Sequence, residues 1–524
     1  MSTSGGPKGA KDLDIADLLD RGPWWKNGRL WSLNLWLLLL LLTSYANGYD
    51  GAMMNNLQVL DQWRVTMGDP SKEKLGILTA IRNIGLLAGT PFTPYVMDGF
   101  GRRVAIALGA FLMISGTAIQ SASFSASMFM GARFLFGFGL AFATSASPLL
   151  IAELAYPSHR GPIVSAYNSL WYSGAIVAAW TTFGTFRIPT QWAWRIPSIL
   201  QGAPSILHVT LIWLCPESPR WLLSKGKDAA ALRILAFYHG RGDEKNPLVR
   251  YEHSEIKKAI ERDRKVAETV GWRTLLATPG NRRRMRMIIA LAFFSQWSGN
   301  GLVTYYLNLV FDTIGITSTT TQTLINGVLQ IFNLSICLLA SALVDKAGRR
   351  VLFLTSSGGM LLFFSLLTVC SARYAITGSS AAGDAVIAFI FLFFGTFCLA
   401  FTPLTVPYTI EILPYSLRAK GFTVFSFSLA LALIFNQFVN PIALPALGWK
   451  YYIVYDCFLV FEFAFMYFFC IETKNRTLEQ TAALFDGEQA VQDLATSGIT
   501  AIILPNESRE GLDEVEKRGE QSVA

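Results

Sequence analysis

Long, nearly unbroken apolar runs alternate with short polar turns along most of this chain. Leu30–Thr43 is the first, and Ile106–Gln120, Val351–Cys370, Val386–Phe401 and Tyr451–Ile471 repeat the pattern. A helix needs about 20 mostly apolar residues to cross a bilayer, because its backbone polar groups must bond one another there. One such run could be the buried helix of a soluble core; many, separated by Gly-, Pro- or Arg-bearing turns, cannot all be core. The pattern predicts an all-α membrane protein with twelve transmembrane helices. They fall near 33–54, 74–97, 104–123, 127–149, 162–184 and 197–215, then 287–312, 322–344, 351–373, 385–410, 419–443 and 450–471.

The predicted organisation is an N-terminal tail (1–30), a six-helix bundle (31–215), a charged central segment (216–286), a second six-helix bundle (287–471) and a C-terminal tail (472–524). Within the central segment, charged and apolar residues interleave over Ser254–Val266. That predicts short amphipathic helices against the membrane face, with a disordered linker as the other reading.

Composition agrees with a membrane protein: 52% of residues are apolar and 15% charged, where a soluble chain carries about a quarter charged. The first thirty residues are polar and no small-residue cleavage site follows the first run, so that run is expected to be retained as a span. The net charge of +8 is a topology signal. Residues 216–286 hold seventeen Lys/Arg against nine Asp/Glu, while the loop Ser121–Ser127, on the other side, has no charge. Basic loops stay in the cytoplasm, which predicts a multi-pass protein, of the plasma membrane, with both termini cytoplasmic and no role in nucleic-acid binding. The sequons at Asn333, Asn475 and Asn506 then fall in a span or in the cytoplasm, and none should be modified. The six cysteines lie in or at the ends of spans and read as packing residues.

The two halves echo each other. Asp98-Gly-Phe-Gly-Arg-Arg103 follows the second span and Asp345-Lys-Ala-Gly-Arg-Arg350 the eighth. Glu153 and Arg160 close the fourth span at the same interval as Glu411 and Arg418 close the tenth. Parallel repeats of six spans place a substrate between two bundles near the midplane.

Several polar residues sit inside apolar runs. A carboxylate at Asp50, in the first span, is costly in hydrocarbon and needs a cavity or a partner, and Arg133 of the fourth span is the natural partner. Arg82, in the second span, is expected to snorkel to the outer surface; tuning Asp50 is the other reading. Amides and aromatics recur at helical spacing: Asn168, Trp171 and Tyr172; Gln296 and Asn300; Asn326, Gln330 and Asn333; Asn436 and Asn440, with Gln437 nearby. Such faces can line a polar cavity, although single amides also bind helices together. Glu462 and Asp456, in the last span, are expected at the lipid boundary or the rear of the bundle.

Arg102, Arg103, Glu153, Arg160, Arg349, Arg350, Glu411 and Arg418 form a candidate cytoplasmic latch. Glu217 and Arg220 of Pro216–Leu222, and Glu472–Glu479, are expected to join it. The expectation is that these residues bridge the two bundles in an outward-open state and part when the protein opens inward.

Gly48-Tyr-Asp-Gly51, the paired Gly-Arg-Arg turns, Pro216-Glu-Ser-Pro-Arg-Trp-Leu222 and Glu472-Thr-Lys-Asn-Arg-Thr-Leu-Glu479 make the chain resemble the sugar-porter branch of the major facilitator superfamily, over roughly residues 30–485. Gln296-Trp-Ser-Gly-Asn-Gly301 and Trp194-Arg-Ile-Pro197 resemble the fungal lactose-permease and cellodextrin-transporter group. The resemblance implies that Asp50 takes up a proton and pairs with Arg133. It also implies that Asn168, Gln296 and Asn333 contact sugar and that Tyr305 and Tyr306 form an extracellular gate. The chain departs from the family pattern at Ser295, at Asn300 beside Gly301, and at Val406, where a tryptophan normally covers a monosaccharide. Asn168, shorter than the glutamine usual in the family, and the lost indole at Val406 enlarge the expected cavity.

The resulting expectation is a proton-coupled sugar importer working by alternating access, for a disaccharide such as lactose or cellobiose. Its partners are sugar, proton and lipid bilayer; it functions as a monomer, with no cofactor and no metal. A monosaccharide or polyol transporter, coupled or facilitative, is the alternative. A non-transporting sensor is disfavoured by the short C-terminal tail. An enzyme is disfavoured because no nucleotide loop, metal cluster or nucleophile motif is present.

Overall fold

The computed structural model describes residues 24–269, 271–414, 417–474 and 484–485. Most of both tails, the sequons at Asn475 and Asn506 and most of Glu472–Glu479 lie outside them. Every described element is a helix. The first part of the chain forms α1 (Gly28–Leu57), α2 (Lys72–Gly89, running on to Phe100), α3 (Arg102–Ser121) and α4 (Ala126–Leu154). It continues with α5 (Pro157–Ser169), α6 (Trp171–Thr185), α7 (Trp192–Leu200) and α8 (Ala203–Leu211). The central segment holds α9 (Pro219–Ser224), α10 (Asp228–Tyr238) and α11 (Pro247–Thr269). Then follow α12 (Pro279–Trp297), α13 (Asn300–Thr313), α14 (Thr319–Ala347), α15 (Arg349–Thr377), α16 (Ser380–Glu411), α17 (Arg418–Leu447) and α18 (Lys450–Phe469).

Ten stretches among the described residues are long and apolar enough to cross a membrane. The two other expected spans, 162–184 and 287–312, are each broken into two shorter helices, α5–α6 and α12–α13. The first half of each opens on polar residues. α5 opens with Pro157, His159 and Arg160, and α12 opens with Arg282, Arg283, Arg284 and Arg286. Between α12 and α13, Gly299 has φ +93°, a left-handed conformation that a side chain resists and glycine adopts freely. Irregular backbone at membrane depth is tolerated where protein or a cavity surrounds it.

Buried apolar side chains from residues 275–485 form one cluster, which Tyr172 joins from the first part of the chain. Those of residues 30–248 form clusters of their own around Leu33, Ile106 and Leu150, around Tyr49, Trp63 and Trp194, and around Phe136 and Leu140. Large apolar side chains such as Leu339, Val369 and Phe468 point outward and are exposed. Contiguous apolar surface of this kind is what lipid contact requires. In the central segment, His239 Nδ1 lies 2.7 Å from Glu252 Oε2, and its Nε2 lies 3.1 Å from the Leu154 carbonyl. This ties α10 and α11 to the end of α4.

Candidate functional site

Asp50 is completely buried in α1. Arg133 Nη1 donates to its Oδ1 at 3.1 Å and Nη2 faces Oδ2 at 3.5 Å. Two further groups reach the same carboxylate. Arg82 Nε lies 2.8 Å from Oδ2, and Gln201 Nε2 donates to Oδ1 at 2.8 Å. Gln201 is itself held by Gln120, whose Nε2 donates to Gln201 Oε1 at 3.0 Å.

The expectation that Arg82 snorkels outward is therefore corrected: it is 5% exposed and faces inward. The cause is the contact between α2 and α4. A Cβ on Gly137 would overlap the Arg82 carbonyl, and one on Gly85 would overlap that of Phe134. With the helices this close, Arg82 is held on the side where a buried carboxylate lies in reach. Gln201 was missed by sequence reasoning; the signal was an amide inside an apolar run, the same signal that singled out the other amides.

The amides fall into two groups. Several of those on α13 and α14 keep an unpartnered oxygen. Asn300 donates to the Ser295 carbonyl at 2.8 Å and Gln330 to Asn326 Oδ1 at 3.0 Å. The oxygens Asn300 Oδ1, Gln330 Oε1 and Asn333 Oδ1 are buried with no hydrogen-bond partner among the described residues. Asn168, Trp171 and Gln296 are half-buried, and the Trp171 ring packs edge-on to Tyr172 with centroids 5.1 Å apart. Tyr172 Oη lies 3.3 Å from Cys398 Sγ on α16, so these rings sit where the two parts of the chain meet.

Asn436 and Asn440 are engaged differently. Asn436 Nδ2 donates to the Gln296 carbonyl at 2.8 Å, Asn440 Nδ2 donates to Asn436 Oδ1 at 2.6 Å, and Asn440 Oδ1 accepts from Tyr451 and Tyr455 at 2.9 and 2.6 Å. In this conformation these amides join α17 to α12 and α18, and their reach toward a ligand is taken up by the protein.

An amide clasp closes one end of the molecule. Asn83 Nδ2 donates to Gln437 Oε1 at 2.6 Å and Asn326 Nδ2 to Asn56 Oδ1 at 2.5 Å. Asn55 Oδ1 accepts from the Leu307 N–H at 3.1 Å, and Gln58 donates to the Tyr305 carbonyl at 3.3 Å. Tyr306, at a kink in α13, is fully buried and donates to the Gln437 carbonyl at 2.5 Å. Asn55, Asn56 and Gln58 were not singled out from the sequence, since polar residues at a helix end read as interfacial.

The opposite, basic end is built twice on one plan. Arg102 pairs with Glu153 and Arg349 with Glu411, each at 3.2 Å. Glu217 accepts the backbone N–H groups of Arg102 and Arg103 at 3.2 and 3.3 Å, and Glu472 those of Arg349 and Arg350 at 2.9 and 3.0 Å. Gly101 and Gly348 have φ +104° and +92°, and a Cβ on either would crowd the capping carboxylate. In this conformation these bonds lie within each repeat; the bridges across the bundles are expected in the outward-open state. Arg160 is exposed, and Arg220 and Arg418 are half-buried.

The two caps respond to pH in opposite senses. Burial pushes the Glu217 carboxyl above its ordinary 4.5, against backbone N–H groups that lower it. Burial acts upward on Glu472 too, but the N–H groups of Lys474, Arg349 and Arg350 and the Arg349 charge together bring it below 4.5. The Glu472 contribution to stability is therefore present above the unfolded value and is lost as pH falls through its folded one. That of Glu217 is complete below the unfolded value and is lost as pH rises through its folded one. At neutral pH, Glu472→Ala is expected to lower stability by about 1 kcal/mol, as for a lost helix cap, and Glu217→Ala by less. Thermal-shift measurements across pH check this, and the gap should close on acidification.

Of the two places expected for Glu462, burial excludes the lipid boundary. The side chain is 0% exposed and packs against α12. Asp456 is partly buried and accepts from Ser365 Oγ at 3.1 Å.

A helical repeat around a buried ion cluster, open amides at broken helices and a clasp at one end define a multi-pass membrane transporter. The chain belongs to the sugar (and other) transporter family, whose model matches residues 36–485. It is 28% identical to the MFS-type transporter oryC of Aspergillus oryzae, over 85% of this chain and 84% of that one. It is equally similar, at 28%, to the high-affinity glucose transporter of Kluyveromyces lactis (83% and 81% covered) and to polyol transporter 5 of Arabidopsis thaliana (86% and 85% covered). In fold it matches the inward open conformation of the xylose transporter XylE from E. coli, with TM-score 0.71 and 23% identity over 86% of this chain and all of that one. The fold is that of the major facilitator superfamily, and the protein is a sugar transporter of that superfamily rather than an enzyme.

Proposed function

We propose that this protein is a proton-coupled sugar importer working by alternating access. In this reading α5–α6 and α12–α13 add two crossings to the ten continuous ones, giving two six-helix bundles (31–215 and 287–471) joined by the central segment (216–286). The basic end and both termini face the cytoplasm of a plasma-membrane protein, which acts as a monomer. The amide clasp then closes the outer side through Tyr305 and Tyr306, and the conformation is inward-facing.

The observation that carries the coupling is one buried carboxylate held between two buried guanidinium groups. A proton arriving on Asp50 removes the only anion of the cluster and leaves Arg82 and Arg133 facing each other in a medium that screens poorly. One arginine must then move. Arg82 is adjacent in sequence to Asn83, whose bond to Gln437 belongs to the clasp. Protonation of Asp50 is thereby linked to opening of the outer side.

Sugar is proposed to bind at Asn168, Trp171, Gln296, Asn300 and Asn333, where unpartnered acceptors meet an aromatic face. An acceptor buried without a donor costs about 1–3 kcal/mol, and a sugar hydroxyl supplies that donor. Val406 in place of an indole favours a disaccharide such as lactose or cellobiose. The names of the similar glucose and polyol transporters favour a second reading, a monosaccharide or polyol substrate. Uptake of labelled glucose, sorbitol, lactose and cellobiose by transporter-null cells, with medium pH recorded, tests both. Lactose or cellobiose should enter with alkalinisation of the medium. Strong preference for glucose selects the second reading, and uptake without a pH change selects facilitation.

A further inference from the structure

Glu462 lies in the middle of α18, and the proposed coupling at Asp50 makes no use of it. Its Oε2 is 2.5 Å from Ser298 Oγ, and Ser298 Oγ is also hydrogen-bonded to the Phe294 carbonyl. A serine hydroxyl has one hydrogen, and a backbone carbonyl can only accept. If Glu462 were a carboxylate, two acceptors would compete for that one hydrogen, and one contact would join two oxygens with no proton between them. With a proton on Oε2 both contacts are satisfied: Glu462 donates to Ser298, and Ser298 donates to Phe294.

The surroundings demand the same state. The Phe294 ring packs edge-on against Phe458, Phe461 and Phe465, with centroids 5.3–5.9 Å apart. Glu462 Oε1 is buried without a partner among the described residues. No charged residue occurs between Met287 and Trp297 on α12, between Val351 and Ala372 on α15, or between Gly421 and Leu447 on α17. Arg286 sits at the far end of α12 over Phe469, 4.1 Å from the ring centroid. On α18 itself, Asp456 is bonded to Ser365, and Tyr451 and Tyr455 donate to Asn440. An ionised carboxylate with no cation in reach, inside an aromatic packing, is strongly disfavoured.

We propose that Glu462 is a second proton-binding site, which carries its proton on Oε2 in this conformation and with it secures the break between α12 and α13. Ser298 is the last residue before Gly299, where the backbone turns left-handed and α13 begins. Loss of the proton leaves either the Phe294 carbonyl or the carboxylate without a donor at that joint. The site is independent of Asp50, which lies on α1 and pairs as a carboxylate with two arginines.

Infrared spectroscopy of the purified protein in lipid nanodiscs at neutral pH tests this. A buried carboxylic-acid C=O band is expected in the wild type, unchanged in Asp50→Asn and absent in Glu462→Gln. Ser298→Ala removes the acceptor of the acid proton and should move the band to higher frequency without abolishing it. Absence of the band in the wild type, its persistence in Glu462→Gln, its loss in Asp456→Asn or an unmoved band in Ser298→Ala each overturns the proposal. Should Glu462→Gln fail to fold, the Ser298→Ala shift decides. Loss of sugar accumulation in Asp50→Asn is a separate readout, so failure of the coupling reading and failure of this one are distinguishable.

Discussion

Cells expressing Asp50→Asn are expected to equilibrate sugar across the membrane and never to accumulate it. One proton entering with each sugar brings one elementary charge across the membrane, worth about 2.3 kcal/mol per 100 mV. The wild type can therefore concentrate an uncharged sugar roughly 50-fold for each 100 mV of potential, since 1.4 kcal/mol is tenfold. Asparagine keeps an oxygen that Arg82, Arg133 and Gln201 can still address, so the cluster retains its hydrogen-bond acceptor while losing the group that binds a proton. Downhill entry and exchange of labelled for unlabelled sugar should persist. The measurement is steady-state accumulation in energised cells, with sugar-dependent alkalinisation followed in parallel. Uphill accumulation by the variant would sink the coupling role of Asp50.

Asn333→Val is expected to stabilise the sugar-free protein and weaken sugar binding in one step. Asn333 is 1% exposed, and its Oδ1 has no partner among the described residues. A buried acceptor left unpaired costs about 1–3 kcal/mol, and an apolar side chain removes that cost. The sugar hydroxyl proposed to donate to this oxygen then meets a methyl group and is itself left unpaired. The half-saturation concentration should rise about tenfold or more, at 1.4 kcal/mol per factor of ten. Thermal stability without sugar should rise, while its increment on adding sugar shrinks. A lower melting temperature with unchanged affinity would instead identify the amide as helix-to-helix glue. Asn440, with both amide atoms already engaged, is the internal comparison: Asn440→Val should lower stability.

The sequence read alone made the membrane class legible, because the length and apolarity of a helix that crosses lipid are local properties of the chain. It also exposed the doubled Gly-Arg-Arg turns, and the pairing of Asp50 with Arg133, since each charge stands out in an otherwise apolar run. It could not say which way a helix is turned. Arg82 reads the same whether it reaches for the surface or for Asp50, and only the close contact of α2 with α4 at Gly85 and Gly137 chose the carboxylate. Asn333 and Asn440 are the same residue type in similar runs, yet one keeps a free oxygen and the other is fully bonded. For Glu462 the sequence left the lipid boundary and the rear of the bundle both open, and only the fold, which buries it against α12, excluded lipid. The chain's own hydropathy determined that these polar groups lie within the membrane, because the apolar runs around them are long enough to span it. Tertiary structure decided what each one meets, because a partner is set by helix rotation and by distances of a few ångströms, which only packing fixes.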